Sequence, residues 1–264
     1  MDRYSFIGAG NMAYAIIGGM GKADITVYDK NEEQYKKFSA DVKTAPSPEK
    51  AVENADFIVL AVKPQNFKEV LAEIKESGAS LEGKTFISIA AGVTISSICQ
   101  ALGQAVPVIR TMPNTPLLIG KGVTALSRNQ LVSDEIFEKI YKMFASIGEA
   151  FELPESKMNA VIAATSSAPA YIYYIIDCIA NEAANEGVDS PEILKMVCAM
   201  VKGSADMILS SDKTPQELIK MVTSPNGTTE KAMKVFCEQG LDKTISEAMR
   251  ACTKRAEELS NELQ

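Results

Sequence analysis

Through about the first 150 residues, short apolar runs alternate with amphipathic stretches, the doubly wound α/β pattern. Apolar runs predict strands over residues 4–7, 25–28, 56–62, 85–89, 106–110 and 123–126. The run 56–62 (DFIVLAV) has no polar alternation after its aspartate, as a strand buried on both faces of a parallel sheet should read. Helical periodicity falls between these runs, ending at about residue 20 and then over 47–54, 67–75 and 133–146. Ser133 is placed to cap the last, with Ile136 and Phe137 turned inward. After Pro154 the pattern becomes purely helical. One long run covers 155–186 and stops at Gly187. Ser190 as N-cap with Pro191 at the first position opens the next, to about residue 210, and Thr214-Pro215-Gln216-Glu217 repeats the device. Helical stretches at 215–222, 230–238 and from 241 onward complete the chain. The pattern therefore predicts an α/β domain over 1–153 and an all-α domain over 154–264.

The segment 160–179 is apolar around most of its circumference and includes Tyr171, Ile172, Tyr173, Tyr174, Ile175 and Ile176. A helix of that kind is buried. So small a helical domain leaves such faces bare, which predicts a homodimer packed through them.

Composition narrows the partners. A net charge of −7 argues against nucleic acid or an anionic membrane, and no segment reads as transmembrane or as a signal peptide. With 46% hydrophobic residues a sizeable core is expected. There is no histidine, which removes imidazole acid–base chemistry, Ser–His and Cys–His nucleophiles and most transition-metal sites; no metal is expected. Cys99, Cys178, Cys198, Cys237 and Cys252 form no CxxC and are odd in number, so they read as buried free thiols in a reducing cytoplasm.

The first strand runs into Gly8-Ala9-Gly10-Asn11-Met12-Ala13, spaced G-x-G-x-x-A, with a helix following. Gly8 permits the tight turn, Gly10 lets a pyrophosphate approach the backbone, and Ala13 lets the helix lie close to the strand. The bare motif is weak, but its place between a strand and a helix makes this a Rossmann-type dinucleotide site. Asp29 closes the second strand, where an acid contacts the ribose of NAD and repels the 2′-phosphate of NADP. It also fits a turn or cap position, and the adjacent Lys30 could contact a phosphate; the balance leans to NADH over NADPH. The ends of later strands, Ala61-Val62-Lys63-Pro64, Ala90-Ala91-Gly92 and Met112-Pro113-Asn114, fall on the same sheet edge and are candidate cofactor contacts. In Thr223-Ser224-Pro225-Asn226-Gly227-Thr228-Thr229, Pro225 and Gly227 force a turn and hydroxyls gather at the mouth of the next helix. That arrangement suits either an ordinary helix cap or a small anion such as a carboxylate.

These segments, with Ser88-Ile89-Ala90-Ala91-Gly92-Val93, Arg110-Thr111-Met112-Pro113-Asn114-Thr115-Pro116, Ala168-Pro169-Ala170-Tyr171 and the closing residues 250–259, resemble the pyrroline-5-carboxylate reductases over essentially the whole chain. The resemblance implies a Rossmann domain with an interlocked helical dimer, often assembled to a decamer. It also implies hydride transfer from NADPH or NADH to 1-pyrroline-5-carboxylate, giving L-proline. Ser224, Gly227, Thr228 and Thr229 then hold the substrate carboxylate and ring nitrogen, with Thr229 as the catalytic hydroxyl and the partner chain supplying the turn. Pro64, Met112 and Asn114 then line the nicotinamide. Two departures stand out: Thr165-Ser166-Ser167-Ala168 replaces the family's Ser-Gly-Ser-Gly, and Asn226 replaces a glycine. Other readings on this scaffold are a β-hydroxyacid or other imine reductase, for which Lys195 and Lys202 are candidate proton donors, and a non-catalytic dinucleotide sensor.

Overall fold

The chain, described over residues 1–188 and 190–262 in a computed structural model, begins with the expected alternation. Its first part runs β1 (Arg3–Ile7), α1 (Asn11–Gly19), β2 (Asp24–Tyr28), β3 (Lys43–Thr44), α2 (Pro48–Glu53), β4 (Phe57–Leu60), α3 (Phe67–Glu76), β5 (Thr85–Ser88), α4 (Ile95–Leu102), β6 (Val108–Met112), β7 (Gly122–Arg128), α5 (Asp134–Ala145) and β8 (Gly148–Glu152). Then follow α6 (Met158–Val161), α7 (Ala168–Asn185), α8 (Ile193–Leu209), α9 (Pro215–Val222), α10 (Thr228–Glu238) and α11 (Leu241–Glu262). The strands form one sheet in the order β3-β2-β1-β4-β5-β6-β7-β8. All neighbours are parallel except β6 and β7. Strand order reverses beside β1, which opens a crevice at the carboxyl ends of β1 and β4.

Period-two alternation divides the strand side chains between two cores. Phe6, Phe57, Val59 and Ile109 pack with α1 and α5 on one face. Ile7, Ile58, Leu60, Phe86 and Val108 pack with α2, α3 and α4 on the other. Ser5 sits among the buried strand residues, and its hydroxyl donates to the Ala51 carbonyl at 2.6 Å. Ser47, Thr94 and Ser133 each cap a helix through the side chain, and Thr214 with Glu217 forms a full capping box. β3 and β8 were not read from the sequence. β3 has two residues, and β8 buries only Ala150, so neither carries an apolar run.

The single helix expected over 155–186 is broken. After α6 the backbone widens into a π turn over Ile162–Ser166, bends at Ser167 and restarts as α7. Pro169 has no N–H and its ring collides with the carbonyl four residues back, so a regular helix cannot pass. The Ser167 N–H instead reaches the Ile162 carbonyl at 2.8 Å. The start expected at Ser190 is also displaced. The Ser190 hydroxyl accepts the Glu192 N–H at 3.2 Å, closing a local turn, and α8 begins only at Ile193. Gly187 does end α7, at φ +91°.

By contact the chain forms two units, Met1–Ser167 with the turns from Cys252 onward, and Ala168–Ala251. Within the first unit, Gly92 (φ +78°) lets the last helix approach: a Cβ there would lie 2.8 Å from Leu259 Cβ and 3.0 Å from the Ala256 carbonyl oxygen. The second unit exposes apolar side chains on every helix, with Tyr174 71% and Val222 67% exposed. The expectation of buried thiols fails in this unit. Cys178, Cys198 and Cys237 are exposed and only Cys99 and Cys252 are partly covered, because the first three sit on helices that a single chain leaves bare. An apolar surface this extensive is an association surface. Sedimentation velocity at micromolar concentration should therefore show a dimer or a larger assembly, and a monomer would contradict the packing argument.

Candidate functional site

The end of β1 approaches the end of β4 so closely that only glycine fits between them. Gly8 has φ +101°, and a Cβ on it would lie 2.6 Å from the carbonyl carbon and oxygen of Ala61. Its N–H donates to the Tyr28 carbonyl at 2.7 Å. Gly10 is the N-cap of α1 with no side-chain cap, and nothing lies within 4 Å of where its Cβ would be. The first N–H groups of α1 thus face open space, the arrangement that receives a phosphate.

A cleft of about 470 Å³ opens over this loop. Gly8, Gly10, Asn11, Asp29, Ala61, Val62 and Lys63, the candidate cofactor contacts, line it together with Lys30, which the sequence set beside a phosphate, and with Gln34 and Asn66, which carry no motif signal. Asp29 is more than a wall residue. One carboxylate oxygen accepts the Ala9 N–H at 2.8 Å and the other the Asn31 N–H at 2.9 Å, so it ties the glycine loop to β2. The Tyr35 hydroxyl donates to the Asp29 carbonyl and accepts its N–H, both at 2.9 Å.

The other expected cofactor contacts lie on the same sheet edge but not on the cleft wall. Met12 packs toward the core on α1, and Pro64 opens the turn after β4. Ala90 and Met112 are buried in apolar clusters, and Ala91 packs against the cluster that holds Met112. Gly92 serves the approach of α11. Pro113 precedes Asn114, whose side chain is fully engaged within the chain. Its Oδ1 accepts the Val123 N–H at 2.8 Å, and its Nδ2 donates to the Thr165 carbonyl at 3.1 Å. Thr165 lies four residues before Pro169, so Asn114 satisfies the carbonyl that the proline leaves without a helical partner.

Arg110, the first residue of the same motif, is 1% exposed. Nη2 donates to Asn159 Oδ1 at 2.6 Å and Nη1 lies 3.5 Å from Glu155 Oε1, while Nε has no partner among the described residues. Burial pulls its pKa down, opposed by the Glu155 carboxylate. Glu155 also accepts the Ile95 N–H at 2.7 Å, which holds the start of α4.

In the second unit the turn before α10 leads into a helix start without a side-chain cap. Asn226 takes φ +61° in the glycine's place, its N–H donating to Glu230 Oε2 at 3.0 Å. Gly227 is the N-cap, α10 has no side-chain cap, and a Cβ on Gly227 would strike the Ser224 hydroxyl. The Gly227 N–H is already used, donating to the Ser224 carbonyl at 3.0 Å. No hydrogen bond among the described residues engages the hydroxyls of Ser224, Thr228 or Thr229, so the mouth of α10 presents free donors. No group of acidic, cysteine or histidine side chains that could hold a metal occurs among the described residues, and no described helix is long and apolar enough to cross a membrane.

Residues 155–259 match the model of the pyrroline-5-carboxylate reductase dimerisation family, and residues 3–92 that of the coenzyme F420-dependent NADP oxidoreductases. The chain is 36% identical to the pyrroline-5-carboxylate reductase of Pseudomonas aeruginosa, with 99% of this chain and 98% of the relative covered. It is 36% identical to that of Escherichia coli, with 98% of each covered. The crystal structure of 1-pyrroline-5-carboxylate reductase from Streptococcus pyogenes superposes with a TM-score of 0.90 at 29% identity over 97% of this chain and 98% of that one. The Plasmodium falciparum pyrroline carboxylate reductase, crystallised with NADP bound, gives 0.89 at 26% identity over 98% of each.

Replacing Asn114 by alanine strands the Val123 N–H and the Thr165 carbonyl together. The expected cost is about 2–4 kcal/mol, read as a lower urea midpoint with unchanged slope. Asn114→Asp, which keeps the acceptor and loses the donor, should fall between alanine and wild type.

Proposed function

The chain belongs to the pyrroline-5-carboxylate reductase family, and we propose the following division of labour for its reaction. The enzyme reduces the C=N bond of 1-pyrroline-5-carboxylate, giving proline, with a nicotinamide dinucleotide as hydride donor. The observation that carries the assignment of the substrate residues is the uncapped start of α10, with three unengaged hydroxyls around it.

The substrate brings one carboxylate and one ring nitrogen. The Ser224 hydroxyl and the N–H of Thr228 donate to the carboxylate, aided by the positive end of α10. The family resemblance also implies a carboxylate contact for Gly227, but the bond of its N–H to the Ser224 carbonyl leaves Gly227 the role of keeping the turn open for that hydroxyl. The Thr229 hydroxyl hydrogen-bonds the ring nitrogen. It orients the imine and relays a proton without ionising, since a threonine hydroxyl does not titrate near neutrality. A protonated cyclic imine already accepts hydride, so positioning and electrostatics are the protein's contribution, and the absence of histidine from the sequence is no handicap.

The residues around Gly8 fit a dinucleotide: the glycine cradle admits no Cβ and the start of α1 is open. Asn11, Ala61, Val62 and Lys63 flank the pyrophosphate side. Pro64, Ala90, Ala91, Met112 and Pro113 contribute backbone or packing at the strand ends, and Asn114 holds that edge in place. The balance leans to NADH as donor; what supports it is the acid at the end of β2, since a carboxylate there accepts from a ribose hydroxyl and repels a 2′-phosphate. We assign residues 154–264 to the dimerisation and substrate part, in line with the family match from residue 155. The exposed helices of that part support a homodimer that can build to a decamer, and five unpaired cysteines suit the cytoplasm.

Cofactor oxidation with racemic 1-pyrroline-5-carboxylate, followed for NADH and NADPH in parallel, tests the reaction and the preference together. Thr229→Ala should lower kcat/KM for the imine by about 1–3 kcal/mol, the worth of one site hydrogen bond, or roughly 5- to 150-fold. A loss within about twofold would remove Thr229 from the mechanism.

A further inference from the structure

Lys30 immediately follows the acid at the end of β2, on the wall of the dinucleotide cleft. A second hollow of about 430 Å³ shares Tyr28, Asp29 and Lys30 with it and adds Glu32 and Tyr35. Among the residues lining the two, the only cations are Lys30 and Lys63, and there is no arginine. Lys63 stands past β4, away from the end of β2. Lys37 also reaches this cleft, its ammonium 3.4 Å from Asn11 Oδ1, but Lys30 is the cation on the wall that directly follows Asp29 at the end of β2, and it is already engaged. Its ammonium lies 2.8 Å from Glu69 Oε1 and 3.3 Å from Glu73 Oε1, two carboxylates one turn apart on α3. The hydrogen bond to Glu69 holds its pKa above the ordinary lysine value.

We propose that Glu69 and Glu73 are specificity determinants of the cofactor site. They hold Lys30 against α3 and thereby deny NADPH its 2′-phosphate partner, while the Asp29 carboxylate, which accepts one backbone N–H on each oxygen, keeps acceptor capacity for a ribose hydroxyl. The inference rests on reading the cleft as a dinucleotide site and extends it. Preference is set by where the lysine is held as well as by the acid beside it. A cation shared between two carboxylates leaves a net negative field, and a dianionic phosphate is repelled by it even through solvent.

Isothermal titration calorimetry with 5′-AMP and 2′,5′-ADP reads this without the imine, so failure of the reductase assignment would leave the test intact. Wild type should bind 5′-AMP more tightly than 2′,5′-ADP. The double variant Glu69→Gln/Glu73→Gln should bind 2′,5′-ADP about tenfold more tightly, with 5′-AMP changed by less than about twofold. Adding Lys30→Gln to the double variant should erase the gain. The ratio of kcat/KM for NADPH to that for NADH should move in the same direction. An unchanged 2′,5′-ADP affinity in the double variant overturns the proposal. So does a gain that survives the loss of Lys30, since relief of repulsion alone would then account for it.

Discussion

The N-terminal unit depends on one contact between two pieces of backbone. The chain leaves β1 at Gly8 so close to the Ala61–Val62 peptide that any side chain would penetrate it. Because β1 and β4 must stay neighbours across the reversal of strand order, the turn has to take a positive φ and run under the start of α1. The uncapped N–H groups of α1, the Asp29 bridge to Ala9 and the open space over Gly10 all follow from that path. Asp29 thus has a structural duty alongside the cofactor role proposed for it, since it is the pin holding the glycine loop against β2.

A second constraint organises the edge of the sheet after β6. Pro169 prevents α6 and α7 from being one helix, and the carbonyl it frees has to be satisfied elsewhere. Asn114 does so while its other end holds Val123, and nearby Arg110 ties Asn159 and Glu155 to the same edge. Two residues of one motif therefore brace the π turn where this chain reads Thr165-Ser166-Ser167-Ala168. A π turn carries a larger ring than an α turn, and the Thr165 hydroxyl closes part of it by donating to the Val161 carbonyl at 3.1 Å. The Ser167 hydroxyl accepts the Cys252 thiol at 3.4 Å, whereas the buried Ser166 hydroxyl has no partner among the described residues.

The helical unit shows the opposite economy. Its turn before α10 is closed locally by Ser224, Asn226 and Glu230, yet its helices leave large apolar side chains in solvent. The geometry of the proposed substrate turn can be read from one chain because the turn is made by neighbours in sequence. The burial of the helices cannot, because it belongs to an assembly.

Much was legible in the residues alone. Alternating apolar runs marked six of the strands, and capping signals at Ser133 and Thr214 placed helix starts correctly because a cap is made by residues three apart. Gly8, Gly10, Asn11 and Asp29 were legible as a cleft because the glycine motif encodes a backbone path. Asn226 was legible as the left-handed residue of its turn because asparagine tolerates that conformation better than most residues. What only the tertiary structure decided were contacts between residues distant in sequence. These include Asn114 answering for Pro169, Gly92 making room for Leu259, Lys30 held by Glu69 and Glu73, and the short strands β3 and β8 recruited to the sheet edges. Local patterns report on torsion angles and on which face of an element is apolar. They are silent on which distant partner satisfies a freed carbonyl or a surface charge, and that is settled only when the elements pack.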